Sequence, residues 1–352
     1  MATVHGGLDV TELRSLGLRP EEVLDFSANI NPLGLSQRVA QAAAETDLSV
    51  YPDRYSSDLR AKLAERLEIG IDNVMIGNGS TELIHLLARS YLCPGQKCLI
   101  FAPSFGEYEA AAIAAGGDVY IVQAEEAQGF RWPIDMAVYT IRRIRPSLIF
   151  LCNPNNPTGV YLGRDQVRRI SRAMDGHGLF VLDDSYMTLA DWQWNSISLF
   201  RDGNIAILRS MTKDHALAGA RLGYLVAQQS VASAAQHLQP AWSVNAVAQA
   251  VGMAALEDEG HVAAARAVIS EAKAYLCGQL DTIGVPVTAS AANFVLARVG
   301  EAAAVRAALL RRGIAVRDCT SFGLPEHVRI AVRRPEECVR LIEELKEAMR
   351  HE

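Results

Sequence analysis

Between residues 74 and 227 short apolar, β-rich runs alternate with amphipathic helical patterns, and no other feature restricts the folding of this chain as strongly. The runs 74–78, 98–102, 118–122, 147–152, 179–183, 205–210 and 223–226 read as strands. Apolar residues at helical spacing mark 80–91, 106–115 and 164–175 between them. Strands that are nearly continuous apolar runs need cover on both faces, and strand–helix alternation makes their sheet largely parallel. The expected fold class is α/β, a largely parallel seven-stranded sheet covered by helices. In such sheets ligands sit beyond the carboxyl ends of the strands.

Past that region the pattern changes. Residues 244–280 read as one long alanine-rich helical stretch, followed by a strand at 294–298, a helix at 302–311, a strand at 328–332 and a helix at 335–350. This predicts a smaller α/β C-terminal domain. The expected division is an N-terminal segment, 1–35, packing on the small domain; a large cofactor-binding domain, 36–245; and the small domain, 246–352. A net charge of −6 argues against non-specific nucleic-acid binding. No run of 18 apolar residues predicts a membrane span, and the start lacks a basic-then-apolar secretory pattern. The six cysteines show neither CxxC nor Cys/His metal spacing, so no disulfide framework and no metal are expected, and the expected location is the cytoplasm.

Several motifs fall at predicted strand ends. In Ser210-Met211-Thr212-Lys213, with Arg221 downstream, an amine stands near a hydroxyl and a guanidinium. That set suits a phosphorylated aldehyde: the amine condenses with the aldehyde while Ser210 and Arg221 grip the phosphate. Gly77-Asn78-Gly79-Ser80-Thr81-Glu82 leaves a strand and opens a helix, whose free N–H groups suit a phosphate; an ordinary turn capped by Ser80 is the alternative. Asn153-Pro154-Asn155-Asn156-Pro157-Thr158-Gly159 is a rigid turn with asparagine amides directed outward, Asn156 toward a cofactor phenolic oxygen. Asp183 and Asp184 end an apolar strand, where a carboxylate needs a partner such as a protonated pyridine nitrogen. Tyr186 is a candidate hydrogen-bond partner of the same phenolate. Phe105 either stacks on the pyridine face or covers the sheet edge. Arg329 interrupts an apolar strand, where a buried guanidinium calls for an anion such as a substrate carboxylate, and Arg317 stands in a similar context.

With Asn156, Asp183, Ser210, Lys213, Arg221 and Arg329 in this order, the chain resembles the fold type I pyridoxal phosphate enzymes over nearly its whole length. Within them it is similar to the histidinol-phosphate aminotransferases and to the threonine-phosphate decarboxylases of cobalamin biosynthesis. His5-Gly6-Gly7, the run from Leu24 to Gly34, Tyr51-Pro52-Asp53 and Trp242-Ser243-Val244-Asn245 resemble the decarboxylases. Ser80 in place of a frequent Glu, Asp184-Ser185-Tyr186 in place of Glu-Ala-Phe, and a short loop at 318–324 depart from them. The resemblance implies pyridoxal 5′-phosphate as cofactor, with Gly79, Ser80, Thr81, Phe105, Asn156, Tyr186, Ser210, Lys213 and Arg221 around it and Asp183 on its ring nitrogen. It implies that His5, Asn31 and Arg317 engage a substrate phosphate and Arg329 its carboxylate. Tyr51 would reach the cofactor phosphate of a partner subunit, which implies a homodimer with shared active sites. The leading expectation is decarboxylation of threonine O-3-phosphate; the second is an aminotransferase of the histidinol-phosphate type.

Overall fold

The structure is a computed structural model that describes residues 5–350, so the outermost ends of the expected domain limits, 1–4 and 351–352, lie outside the described residues. After a short strand, β1 (Leu24–Asp25), the chain lays down β2 (Val74–Asn78), β3 (Lys97–Ala102), β4 (Asp118–Gln123), β5 (Leu148–Cys152), β6 (Leu179–Asp183), β7 (Ile205–Ser210) and β8 (Leu222–Val226). These last seven form one sheet in the order β2-β8-β7-β6-β5-β3-β4. Only β8 runs against the others. The α/β expectation is met.

The fully buried strands β5 and β6 are central and carry Leu, Ile, Val and Phe on both faces. Period-2 alternation splits their side chains between two cores. Phe180, Leu182, Ile205 and Ile207 pack with Val167, Ile170, Ala248 and Val251 from helices on one face. Val181, Ala206, Leu208 and Phe150 pack with Ile84, Leu87, Ala111 and Val231 on the other. Each such fully buried aliphatic or aromatic side chain stabilises by about 1.5–3 kcal/mol.

The remaining strands are β9 (Val287–Thr288), β10 (Phe294–Arg298), β11 (Ile314–Ala315), β12 (Arg317–Asp318) and β13 (His327–Ala331). A second sheet, β12-β13-β10-β9, is antiparallel throughout, and β1 pairs in parallel with β11. The single helix expected over 244–280 is two, Ala246–Leu256 and Glu259–Thr282. Asp258, with φ −116° and ψ 61°, leaves helical geometry between them. No proline marks the break, and Gly260 sits inside the second helix; Asp258 interacts with the Ser36 side chain, a contact that exists only once the chain is folded.

Candidate active site

The carboxyl ends of β2, β5, β6 and β7 open on one cavity of about 550 Å³, the usual size of a small-molecule site. Lining it are Ser80 and Thr81 after β2, Asn156 after β5, Asp183 ending β6, and Ser210 and Lys213 at and after β7. Phe105, Tyr186 and Arg221 complete this half, and His5, Arg317 and Arg329 enter from the other side. Asp183 follows Leu179 and Val181 onto the face that carries the cavity, whereas Asp184 follows Phe180 and Leu182 onto the opposite one.

Asp183 is buried, and its Oδ2 accepts the Tyr108 hydroxyl at 2.7 Å while Oδ1 accepts the Ser185 hydroxyl at 2.5 Å and the Ser185 N–H at 3.1 Å. Burial pushes its pKa above the usual carboxylate range, and these hydrogen bonds together with Lys213 pull it back. No cation among the described residues makes an ion pair with it. Such a group fits a protonated ring nitrogen, and the cavity in front of it has room for a ring. Lys213 is held at a pKa of about 8, first by desolvation and then by the positive charges of Arg329 and Arg221, with Asp183 opposing. Only the neutral amine attacks an aldehyde. Cofactor capture by cofactor-free protein should therefore accelerate as pH rises through about 8 and level off above it, rather than near the ordinary 10.5. Stopped-flow absorbance against pH checks this.

The phosphate end is built by close backbone approach. The helix Gly79–Tyr91 begins at the strand end, and Gly79 takes a left-handed φ of +74°. A Cβ there would stand 2.8 Å from Arg221 Nη2. Arg221 itself holds φ +58°, a conformation costly for a side-chain-bearing residue, and it makes no ion pair among the described residues. A helix N-terminus, two hydroxyls and an unpaired guanidinium fit a phosphate dianion. Ser80 lies one residue inside the helix and makes no cap; Glu82 instead reaches back to the Asn78 N–H at 2.7 Å. Gly79→Ala is expected to weaken cofactor binding about 10-fold, because the added methyl displaces Arg221 and the left-handed backbone adds about 1–2 kcal/mol of strain. Equilibrium titration of cofactor-free protein reads the change.

Across the cavity, Arg329 is buried; one of its Nη atoms donates to Asn156 Oδ1 and the other to the Ser27 carbonyl at 2.6 Å. Its Nε has no hydrogen-bond partner, and no carboxylate pairs with it among the described residues. Arg317, also buried, donates to the Asp318 carbonyl and the Ser321 hydroxyl and lies 5.2 Å from the Phe322 ring centroid. His5 bonds Glu107 at 2.9 Å and packs on Phe105, with ring centroids 5.6 Å apart. Gly6 leaves no space for a side chain, since a Cβ would run into the Ser27 carbonyl and stand 3.0 Å from Arg329 Nη2.

Two expectations, at the turn asparagines and at Asn31, need correction. Of the turn asparagines only Asn156 faces the cavity. Asn153 exchanges hydrogen bonds with Leu162 at 2.7 and 3.0 Å, and Asn155 donates to Pro103 and Thr158, so both turn inward to hold the loop. Asn31 does not line the cavity: its amide donates to the Asp214 carbonyl at 2.8 Å, its Oδ1 accepts from Leu33, and its N–H reaches the Lys213 carbonyl. Asn29, two residues earlier, lines the cavity instead, with both amide atoms buried beside the Tyr186 hydroxyl. Tyr51 stays outside the cavity of its own chain, 81% exposed and packed against Trp242 with tilted rings 4.8 Å apart.

Tyr108 and Asn29 are the contributors that the sequence reading passed over. Tyr108 sits one helical step beyond Phe105 at the start of the helix Glu107–Ala114, stacks on Phe150 at 4.9 Å and meets Phe105 edge-on. The i, i+3 spacing of two aromatics at a helix start was the available signal. For Asn29 there was none, since Asn29 and Asn31 stand in the same turn-rich run.

The sequence profile of the family described as aminotransferase class I and II matches residues 21–345. A histidinol-phosphate aminotransferase of Symbiobacterium thermophilum is 38% identical over 341 residues, covering 96% of this chain and 92% of that protein. The crystal structure of the histidinol-phosphate aminotransferase from Sinorhizobium meliloti in complex with pyridoxal-5'-phosphate superposes with a TM-score of 0.89 at 23% identity, covering 98% and 95% of the two chains, a likeness of fold. The L-threonine-O-3-phosphate decarboxylase from Porphyromonas gingivalis superposes with a TM-score of 0.81 at 25% identity, covering 92% and 99%.

Proposed function

Because the chain belongs to the aminotransferase class I and II family, we propose that it moves the amino group of a phosphorylated amine of the histidinol-phosphate kind to a 2-oxo acid. The cofactor is pyridoxal 5′-phosphate. The observation that carries the reading is a cavity with two separate cationic poles. Arg221 and the helix at Ser80 and Thr81 form one, and His5, Arg317 and Arg329 form the other. The first suits the cofactor's phosphate, and the second is left for an anionic group on the substrate.

When bound, the cofactor supplies an electron sink for a bond broken at the substrate α-carbon. Asp183 keeps a proton on the ring nitrogen. Lys213, neutral in an appreciable fraction near pH 8, takes a proton from the α-carbon and returns it elsewhere. Burial holds the Tyr186 phenol up at about 12, so it donates as a neutral hydroxyl beside Asn29. Arg329 and Arg317 fix the substrate's anionic group and, with it, the orientation of the α-carbon bonds. Phe105 covers the ring and excludes water.

Threonine phosphate decarboxylation, the leading expectation from sequence, now stands second. The relative at 38% identity is named as an aminotransferase, whereas the decarboxylase is a more distant structural neighbour. The seating of His5 and Gly6 at the cavity mouth keeps that reading alive. Histidinol phosphate should bleach the visible band of the holoprotein, and a 2-oxo acid should restore it. Release of carbon dioxide from threonine phosphate with no 2-oxo acid present would reverse the order.

We further propose a homodimer with shared sites. Leu48, Val50, Tyr51, Tyr55 and Trp242 are exposed, an apolar cluster that a second copy would cover. Mixing inactive Lys213→Ala and Tyr51→Ala proteins should then regain up to about a quarter of parental activity, because half the dimers are hybrids and each hybrid holds one intact site. Absence of any recovery in verified hybrids would place Tyr51 outside the partner's site.

A further inference from the structure

Behind the cavity, on the opposite face of the sheet, lies a buried charge cluster that the proposed chemistry does not use. We propose that Arg209 is a positioning residue: from β7, the strand that leads to Lys213, it holds the carboxylate of Asp184 and so sets the spacing between Asp183 and Lys213. This inference rests on the reading that those two residues serve the cofactor.

Arg209 lies on β7, in step with Ile205 and Ile207, and so points away from the cavity. Its Nη2 sits 2.9 Å from Asp184 Oδ2 and donates to the Ser196 hydroxyl at 2.9 Å. Ser196 in turn donates to Asp184 Oδ2, closing a three-membered ring of contacts. Asp184 is fully buried, and Arg209 is its only ion-pair partner among the described residues. Asp214 is the residue after Lys213. Burial raises the pKa of its carboxyl; the neighbouring His215 opposes this most, and Arg209 least. Asp214 also returns its carbonyl to Asn31, the residue whose N–H holds the Lys213 carbonyl.

One guanidinium on β7 thus grips the residue after Asp183 on the neighbouring strand, and its own strand runs on to Lys213. The backbone at Asp184 is further tied to β7 by its N–H to the Leu208 carbonyl at 2.9 Å. The Nη2 contacts to Asp184 and Ser196, closed by Ser196 onto the same carboxylate oxygen, are lost if the strands slide, so they transmit position where an apolar contact would not. Burying these charges is costly unless each is paired, and well-packed apolar groups would stabilise the fold equally well or better. Fold stability alone therefore gives no reason for the cluster, whereas register between β6 and β7 at the site does.

The test compares Arg209→Met, Arg209→Lys and the double variant Arg209→Met/Asp184→Leu, which leaves neither charge buried alone. Three readouts are used on reconstituted holoprotein and cofactor-free protein: kcat and KM, the pH midpoint of the cofactor's visible absorbance, and the pH midpoint for trinitrophenylation of Lys213. The expected result is a kcat lowered about 10- to 100-fold with KM changed less than about 2-fold, as for a small misplacement from a remote site. Both midpoints should move, and Arg209→Lys should recover them in part. The double variant is expected to fold and still show the low kcat and displaced midpoints. If it regains parental kcat and midpoints, the cluster is only structural and the proposal fails. Should Arg209→Met not fold, the double variant alone decides. If instead Lys213 proves not to carry the cofactor, the wild-type absorbance itself will be missing, which separates failure of the underlying reading from failure of this one.

Discussion

Lys213→Ala is expected to lower turnover by at least about 10³-fold, within the range that a positioned proton-transfer group contributes, while leaving the fold intact. Among the described residues Lys213 is the one lysine lining the cavity, so no neighbouring amine there can take its place. The guanidinium groups of Arg221 and Arg329 offer no amine that could replace it. The desolvation that holds Lys213 at about 8 is a burden on the folded protein whenever the amine is charged, so alanine removes an unfavourable term along with the chemistry. The variant should accordingly melt no lower than the parent in cofactor-free form. Cofactor should still bind through its phosphate, without the visible absorbance band, and be lost on gel filtration. Borohydride reduction of the parent should leave a stable pyridoxyl group on Lys213. An adduct elsewhere, or none, would remove the foundation of the proposed chemistry.

Asp183→Asn should reduce kcat on the order of 10²- to 10³-fold, the scale of about 2–5 kcal/mol seen when one member of a buried charge pair is removed. An amide oxygen accepts from Ser185 in place of Oδ1 and its NH2 donates to the Tyr108 oxygen, but the amide cannot keep a proton on a pyridine nitrogen. Capture by Lys213 should survive, so KM and the absorbance band should change far less than kcat. The stability effect has the opposite sign. Asp183 has its folded pKa raised by burial, so the folded cofactor-free protein binds that proton more tightly than the unfolded chain. Stability then declines as pH rises above the usual carboxylate range through the raised folded pKa. The asparagine variant lacks this decline and should be the more stable cofactor-free protein at neutral pH. Urea titrations at pH 5 and pH 8 measure the difference, and a variant less stable at pH 8 would mean that the carboxylate has a cation partner inside the protein.

The strands were legible because continuous apolar runs admit few other environments, and β2, β6 and β7 begin and end where their sequence patterns do. Lys213 and Arg221 were legible because their chemistry is rare in combination. Asp183 and Asp184 were not separable by residue type alone, since two adjacent acids at a strand end look alike. A single step along a strand reverses the face, and only the packed sheet shows that Asp184 meets Arg209 while Asp183 meets the cavity. Asn29 and Asn31 pose the same problem in a turn, where their directions depend on the Lys213 and Asp214 carbonyls more than 180 residues away.

What the amino-acid order determined by itself is local and periodic: which segments are strands or helices, that a parallel sheet would form, and that an amine, a carboxylate and a phosphate cradle would gather at its carboxyl edge. Those follow from burial patterns and from chemistry carried within short stretches of chain. Tertiary structure alone decided which of two neighbouring acids or asparagines faces the cavity, that Tyr108 holds Asp183, and that Arg209 pairs with the acid beside it. Such choices are made by contacts between residues distant in sequence, whose energies depend on hydrogen-bond direction and desolvation once the sheet has closed.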